Sequence, residues 1–131
     1  MNLRIVKLSL LSLIALAGCE EKTTNDGDVI ACTEEFSPAL RINVFDKETG
    51  FPNACGATVK VQDGDFVEEL TNEAGESCTE NFTFSVAGER KGTYDITVIK
   101  EDHINWVQYD TVVTANICHV NTISVQAYMD K

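Results

Sequence analysis

Apolar residues recur at every second position in short stretches of this chain, and from residue 31 onward they never settle into the three-to-four spacing of a helix. A backbone whose side chains alternate between two faces is extended, so this regularity admits strands and excludes a helical core. In "ALRINVF", Leu40, Ile42 and Val44 share one face while Arg41 and Asn43 share the other. "ATVKV" repeats the pattern through Ala57, Val59 and Val61, and Asp63 and Gly64 in the following "QDGD" supply a tight hairpin turn back into "FVEEL". "FTFSV" is short and strongly β-prone. "GTYDITVIK" alternates Tyr94, Ile96 and Val98 with Asp95 and Thr97, "WVQYDTVV" follows, and "VNTISVQAYM" presents Ile123, Val125, Ala127 and Met129 on one face. Seven such strands, separated by Gly-, Asn- and Asp-containing turns, predict an all-β, antiparallel, seven-stranded β-sandwich, with a closed barrel as the alternative.

Four cysteines fall within this strand-rich region: Cys32, Cys55, Cys78 and Cys118. An even number in an exported chain implies two disulfides, for which three connectivities exist. The preferred pairing joins Cys32 to Cys118, at the lead-ins of the first and last strands, and Cys55 to Cys78, bracketing a hairpin. Each bridge is expected to stabilise by roughly 2–4 kcal/mol through loop closure. Zinc is the competing use. Metal sites bring ligands in close pairs, however, and these cysteines stand more than twenty residues apart.

The N-terminus carries the evidence for export. "MNLRIVK" is a basic n-region with Arg4 and Lys7, and "LSLLSLIALA" is an apolar run too short for a transmembrane helix. Leu16, Ala17, Gly18 and Cys19 then resemble the bacterial lipobox. That resemblance implies a lipoprotein signal peptide over 1–18, cleavage before Cys19, a diacylglycerol thioether on its sulfur and a fatty acyl group, typically palmitate, on its amine. Glu20 stands where some bacteria use Asp to hold lipoproteins at the inner membrane, which favours the outer membrane as address. Residues 19–30 are rich in Glu, Thr, Asn and Asp without apolar periodicity, and read as a flexible acidic spacer below a domain spanning 31–131.

With the signal peptide go Arg4 and Lys7, so eight of the ten basic residues remain against 21 acidic ones, a formal balance of −13. Such a surface repels phosphate backbones and excludes nucleic acid as a partner class. The expected partners are the membrane, through the lipid on Cys19, and an envelope protein or glycan.

Within the domain, "INVFDKETGFPNACGATVKV" resembles the opening of the carboxypeptidase regulatory-like domain, a transthyretin-like, Ig-like sandwich. Asp46, Thr49, Gly50 and Pro52 occupy that family's Asp, Thr-Gly and Pro places. "TNEAGES" is similar to its Thr-Asp-x-x-Gly turn through Thr71, Asn72 and Gly75, "ERKGTYDITV" to its Gly-x-Tyr strand entry through Gly92 and Tyr94, and "CHVNTISVQAYM" to the closing strand of its bacterial lipoprotein versions. After "VIK", where the family has Gly-Tyr, this chain has Asp102, His103 and Ile104. The resemblance implies a sandwich in a non-catalytic accessory role and names no substrate.

Chemistry-bearing constellations are few. His103 and His119 are the only histidines, and His119 adjoins Cys118. No Gly-x-Ser-x-Gly elbow or phosphate-binding glycine loop occurs, and "AYMDK" at the end is unlike the Tyr-Arg-Gly-Ser signature of the hydroxyisourate hydrolases that share the transthyretin-like fold. No enzyme, no cofactor and no metal site is expected. Asp26, Asp28, Asp63, Asp65, Glu68 and Glu69 offer oxygen ligands for calcium, but in no EF-hand spacing. Trp106 and Tyr109 are the candidate ligand contacts. Alternation puts Trp106 with Gln108 and Asp110, and puts Val107, Tyr109 and Val113 opposite; a carbohydrate-binding role requires both rings exposed on one patch. The expected function is an anchored, non-catalytic binding or structural interaction module, with carbohydrate binding through exposed aromatics as the alternative.

Overall fold

The computed structural model describes residues 22–23 and 29–131. The signal peptide over 1–18 and the lipid site Cys19 lie outside the described residues, as do Asp26 and Asp28. Within the spacer, β1 (Lys22–Thr23) pairs antiparallel with β2 (Val29–Ile30). A separate compact unit runs from Thr33 to Lys131.

That unit is all-β, with no helix among the described residues. Its strands are β3 (Pro38–Asp46), β4 (Thr58–Asp63), β5 (Phe66–Thr71), β6 (Thr83–Gly88), β7 (Gly92–Ile99), β8 (Trp106–Val113) and β9 (Ile123–Met129). They form a three-stranded sheet ordered β6-β3-β9 and a four-stranded sheet ordered β5-β4-β7-β8. The inward residues of both sheets make one core, in which Tyr94, Phe84, Leu40, Ile42, Ile96, Met129 and six or more valines and alanines are buried. Fully burying each large side chain contributes about 1.5–3 kcal/mol, and this sandwich-like packing of two half-apolar sheets follows from the alternation in the sequence.

One expectation is corrected. The strands are not all antiparallel, because β3 and β9 run parallel, in register from Leu40 opposite Ile123 to Asp46 opposite Met129. The physical reason lies in chain direction. Both strands are entered from the same end of the sandwich: β8 finishes at that end, and segment 114–122 carries the chain across it to the other sheet.

A second correction concerns β8. Between Tyr94 and Ile96 the ladder slips, so that Tyr94 faces Thr111 while Ile96 faces Gln108, and Tyr109 and Asp110 bulge opposite Asp95. Asp110 adopts a φ of 54° and its amide donates to Asp95 Oδ1 at 3.1 Å. The extra residue reverses the facing of everything after it. Trp106 and Gln108 point toward the core before the bulge and Thr111 and Val113 after it, so Val113 does not share the outward face of Val107 and Tyr109.

The turns explain where the chain reverses. Asp63 and Phe66 are paired across a two-residue loop, with Gly64 at φ 58° in the first central position, where a twist-compatible hairpin turn accepts glycine most readily. After β3, Asp46 Oδ1 accepts the amides of Glu48 at 3.0 Å and Thr49 at 2.8 Å, and Gly50, at φ 73°, donates to the Asp46 carbonyl at 2.8 Å. The carboxylate of Asp46 is thereby held below its ordinary pKa, chiefly by the Thr49 amide.

Candidate functional site

Strand directions divide the loops of the sandwich between two ends. The chain enters at one end, which also holds the hairpin at 64–65 and the segments 89–91 and 114–122; the opposite end gathers the two longest loops, 47–57 and 72–82, together with 100–105 and the last residues.

At the entry end, Glu89 stands at φ 50° and turns its carboxylate onto the incoming chain. Its Oε1 accepts the Ser37 amide at 2.7 Å and lies 2.8 Å from His119 Nδ1, while His119 Nε2 lies 3.0 Å from Thr33 Oγ1. The Ser37 amide, followed by the His119 ring, holds the Glu89 pKa below its ordinary value. Both nitrogens of His119 are thus engaged in fastening the entry segment. Beside them, Arg90 donates to Asp63 Oδ2 at 2.8 Å and its guanidinium lies over the Phe66 ring at 4.2 Å. A side chain at Gly92 would collide with that Asp63 carboxylate, which is why glycine opens β7.

At the far end, Cys55 and Cys78 are joined by a disulfide that ties loop 47–57 to loop 72–82. Cys32 and Cys118 are disulfide-bonded as well. Glu80 Oε2 accepts the Cys55 amide at 3.0 Å. Lys100 reaches across to donate to Asn53 Oδ1 at 2.6 Å and to the Asn53 carbonyl at 3.1 Å, and partial burial pushes its pKa down. His103 lies with Nδ1 2.8 Å from the Glu101 carbonyl and Nε2 3.4 Å from Asn53 Nδ2. Asp102 supplies a left-handed turn residue at φ 60°, a conformation that aspartate tolerates.

Of the acidic residues weighed for calcium, Asp63, Asp65, Glu68 and Glu69 are described, and they do not converge. Asp63 is taken by Arg90, and Glu68 points inward from the edge strand β5, where its Oε2 accepts the Ala87 amide at 2.7 Å. Among the described residues no three His, Cys, Asp or Glu side chains converge to hold a metal ion. A shallow groove is lined by Lys91, Gly92 and Thr93 on one side and Val112, Val113, Thr114 and Ala115 on the other.

Trp106 and Tyr109 are not brought together. Trp106 is half-buried and packs against the core, whereas Tyr109 is 70% exposed on the opposite face of β8. Alternation was misleading here because it records which residues share a face, not which face is the inner one. A neighbouring aromatic pair lies elsewhere, with Tyr128 exposed and Phe45 half-buried. Phe45 and Tyr128, directly opposite each other on β3 and β9, stack with ring centroids 5.3 Å apart and planes inclined by 25°. They stand on the solvent face of the three-stranded sheet with Arg41, Asn43, Thr83, Ser85, Ser124 and Gln126. The signal was present in "INVFD" and "SVQAYM", where Phe45 and Tyr128 occupy the polar phase of the alternation; the parallel register that makes them neighbours was not.

Compared with family models, curated proteins and solved structures, the chain matches none.

Proposed function

We propose that this protein is an envelope lipoprotein, anchored by lipid on Cys19 and addressed to the outer membrane, whose sandwich is a non-catalytic binding or structural interaction module of the transthyretin-like, carboxypeptidase regulatory-like kind. The observation that carries this reading is the polarity of the sandwich. The chain is fastened at one end through Ser37, Glu89 and His119, and its longer loops, braced by Cys55–Cys78 and by Lys100 on Asn53, are presented at the other. A rigid scaffold tethered at one end and displaying loops at the far end suits recognition above a membrane. One further feature supports a non-catalytic role: both histidine rings and Lys100 are engaged in bracing contacts.

The carbohydrate-binding alternative gains support from Phe45 and Tyr128 rather than from Trp106 and Tyr109, since the first pair stands together on one solvent-facing patch, with the Tyr128 ring exposed and the half-buried Phe45 ring stacked against it.

Proximity labelling and recovery from intact cells, with the full-length protein beside a Cys19→Ala form, tests the reading. A specific envelope protein or glycan recovered only with the anchored form is the expected result. Equal recovery with both forms, or no specific envelope component with either, would contradict it.

A further inference from the structure

The solvent face of β6-β3-β9 differs from the rest of this acidic protein. Eight outward side chains line it: Thr83 and Ser85 on β6, Arg41, Asn43 and Phe45 on β3, and Ser124, Gln126 and Tyr128 on β9. None is acidic, in a chain with 21 acidic and ten basic residues. Arg41 is exposed and, among the described residues, forms no ion pair, whereas Arg90 and Lys47 are matched with Asp63 and Asp130. An unmatched guanidinium on an acid-free face is complementary to a carboxylate brought by a ligand.

The neutral groups are also set in advance. Asn43 Nδ2 donates to Thr83 Oγ1 at 2.8 Å, which orients its carbonyl oxygen as an acceptor. Tyr128 donates its hydroxyl to Gln126 Oε1 at 3.2 Å, which leaves the Gln126 amide nitrogen as a donor. Asn43 and Gln126 are register partners, so an acceptor and a donor stand side by side, flanked by the Phe45–Tyr128 rings on one side and Arg41 on the other. From the Phe45 row to the Arg41 row the face is about 13 Å long, and across three strands about 10 Å wide, a match to a short oligosaccharide rather than to a folded partner.

We propose that this face binds a short glycan bearing a carboxylate: a sugar ring packs against the exposed Tyr128 ring, which Phe45 backs, Asn43 and Gln126 bond its hydroxyl or acetamido groups, and Arg41 pairs with the acid. The proposal deepens the binding-module reading and rests on it.

The test is calorimetric titration of the full lipidated chain in nonionic detergent, with the disaccharide N-acetylglucosaminyl-N-acetylmuramic acid and, as neutral counterpart, di-N-acetylchitobiose. The carboxylated sugar is expected to bind with a Kd on the order of 0.1–1 mM, and the neutral one about tenfold more weakly. Tyr128→Ala is expected to weaken both at least about tenfold, Arg41→Ala to bring the acidic sugar down to the neutral affinity, and Tyr109→Ala, on the other sheet, to change neither. All three altered residues point to solvent, and an unchanged melting temperature certifies each variant as folded. Absence of binding by either sugar at about 10 mM, equal affinity for the two, or binding indifferent to Tyr128→Ala would overturn the proposal. A blank titration beside a specific protein recovered by the anchored form would refute the glycan site alone; loss of anchoring would refute the broader reading.

Discussion

The phenolic hydroxyl of Tyr94 donates to the main-chain carbonyl of Arg90 at 2.6 Å, and the Arg90 guanidinium in turn donates to that hydroxyl at 3.1 Å. The ring is fully buried in the core, so a single side chain fixes both the start of β7 and the loop before it. The arrangement is that of a tyrosine corner, in which a strand residue bonds back to the backbone a few positions upstream. Tyr94→Phe keeps the ring and removes the hydroxyl, leaving the Arg90 carbonyl without this partner. The expected cost is about 1–2 kcal/mol, read as a lower urea midpoint with unchanged slope.

Core truncation is expected to cost more. Ile96 is fully buried in the centre of the four-stranded sheet, between Val61 on β4 and Gln108 on β8. Ile96→Ala should destabilise by about 2–5 kcal/mol, whereas Tyr109→Ala, at 70% exposure, should stay within about 0.5 kcal/mol of the parent. Chemical denaturation of the two variants side by side measures the contrast.

The Cys55–Cys78 bridge closes a segment with a sequence separation of 23. In the chain-entropy account a loop of that length contributes about 3 kcal/mol, so the Cys55→Ala/Cys78→Ala double variant should unfold at correspondingly lower denaturant. The double variant, rather than a single one, leaves no orphan thiol to mispair.

Acidification is expected to loosen both ends of the sandwich. Asp46 is lowered mainly by the Thr49 amide, Glu89 by the Ser37 amide and Asp130 by the Lys47 side chain, from ordinary values of 3.8, 4.5 and 3.8. A carboxylate whose folded pKa is depressed contributes stability above its unfolded pKa and loses it as pH falls through the folded value. The melting temperature should therefore be level near neutrality with respect to these groups and decline below about pH 4.5. Glu89→Gln should flatten part of that decline, because the amide cannot titrate; differential scanning calorimetry across the acid range is the check.

How much of this was legible beforehand depends on what alternation records. All seven long strands stand where the sequence predicts strands, with Leu40, Ile42 and Val44 inside as read. The Asp46 and Gly50 turn follows from residue types alone, because a side-chain acceptor and a left-handed glycine are local requirements. Partners are not local. The parallel pairing of β3 with β9 leaves no mark on the period of either strand, so the Phe45–Tyr128 stack could not be anticipated. The β8 bulge turns on one residue, Asp110, whose positive φ defeats any face assignment extended past it. The clasp of Glu89 on His119 and Ser37 was equally hidden, since it joins segments thirty and fifty-two residues apart.

The central claim is that this sandwich works at a membrane because Cys19 carries lipid, and mass spectrometry of the mature N-terminal peptide from bacterial cells tests it most directly. The account predicts a peptide beginning at Cys19, its sulfur bearing diacylglycerol and its amine a fatty acyl group, with neither modification in a Cys19→Ala form. A mature protein beginning elsewhere, or at Cys19 with an unmodified thiol and amine, would contradict it.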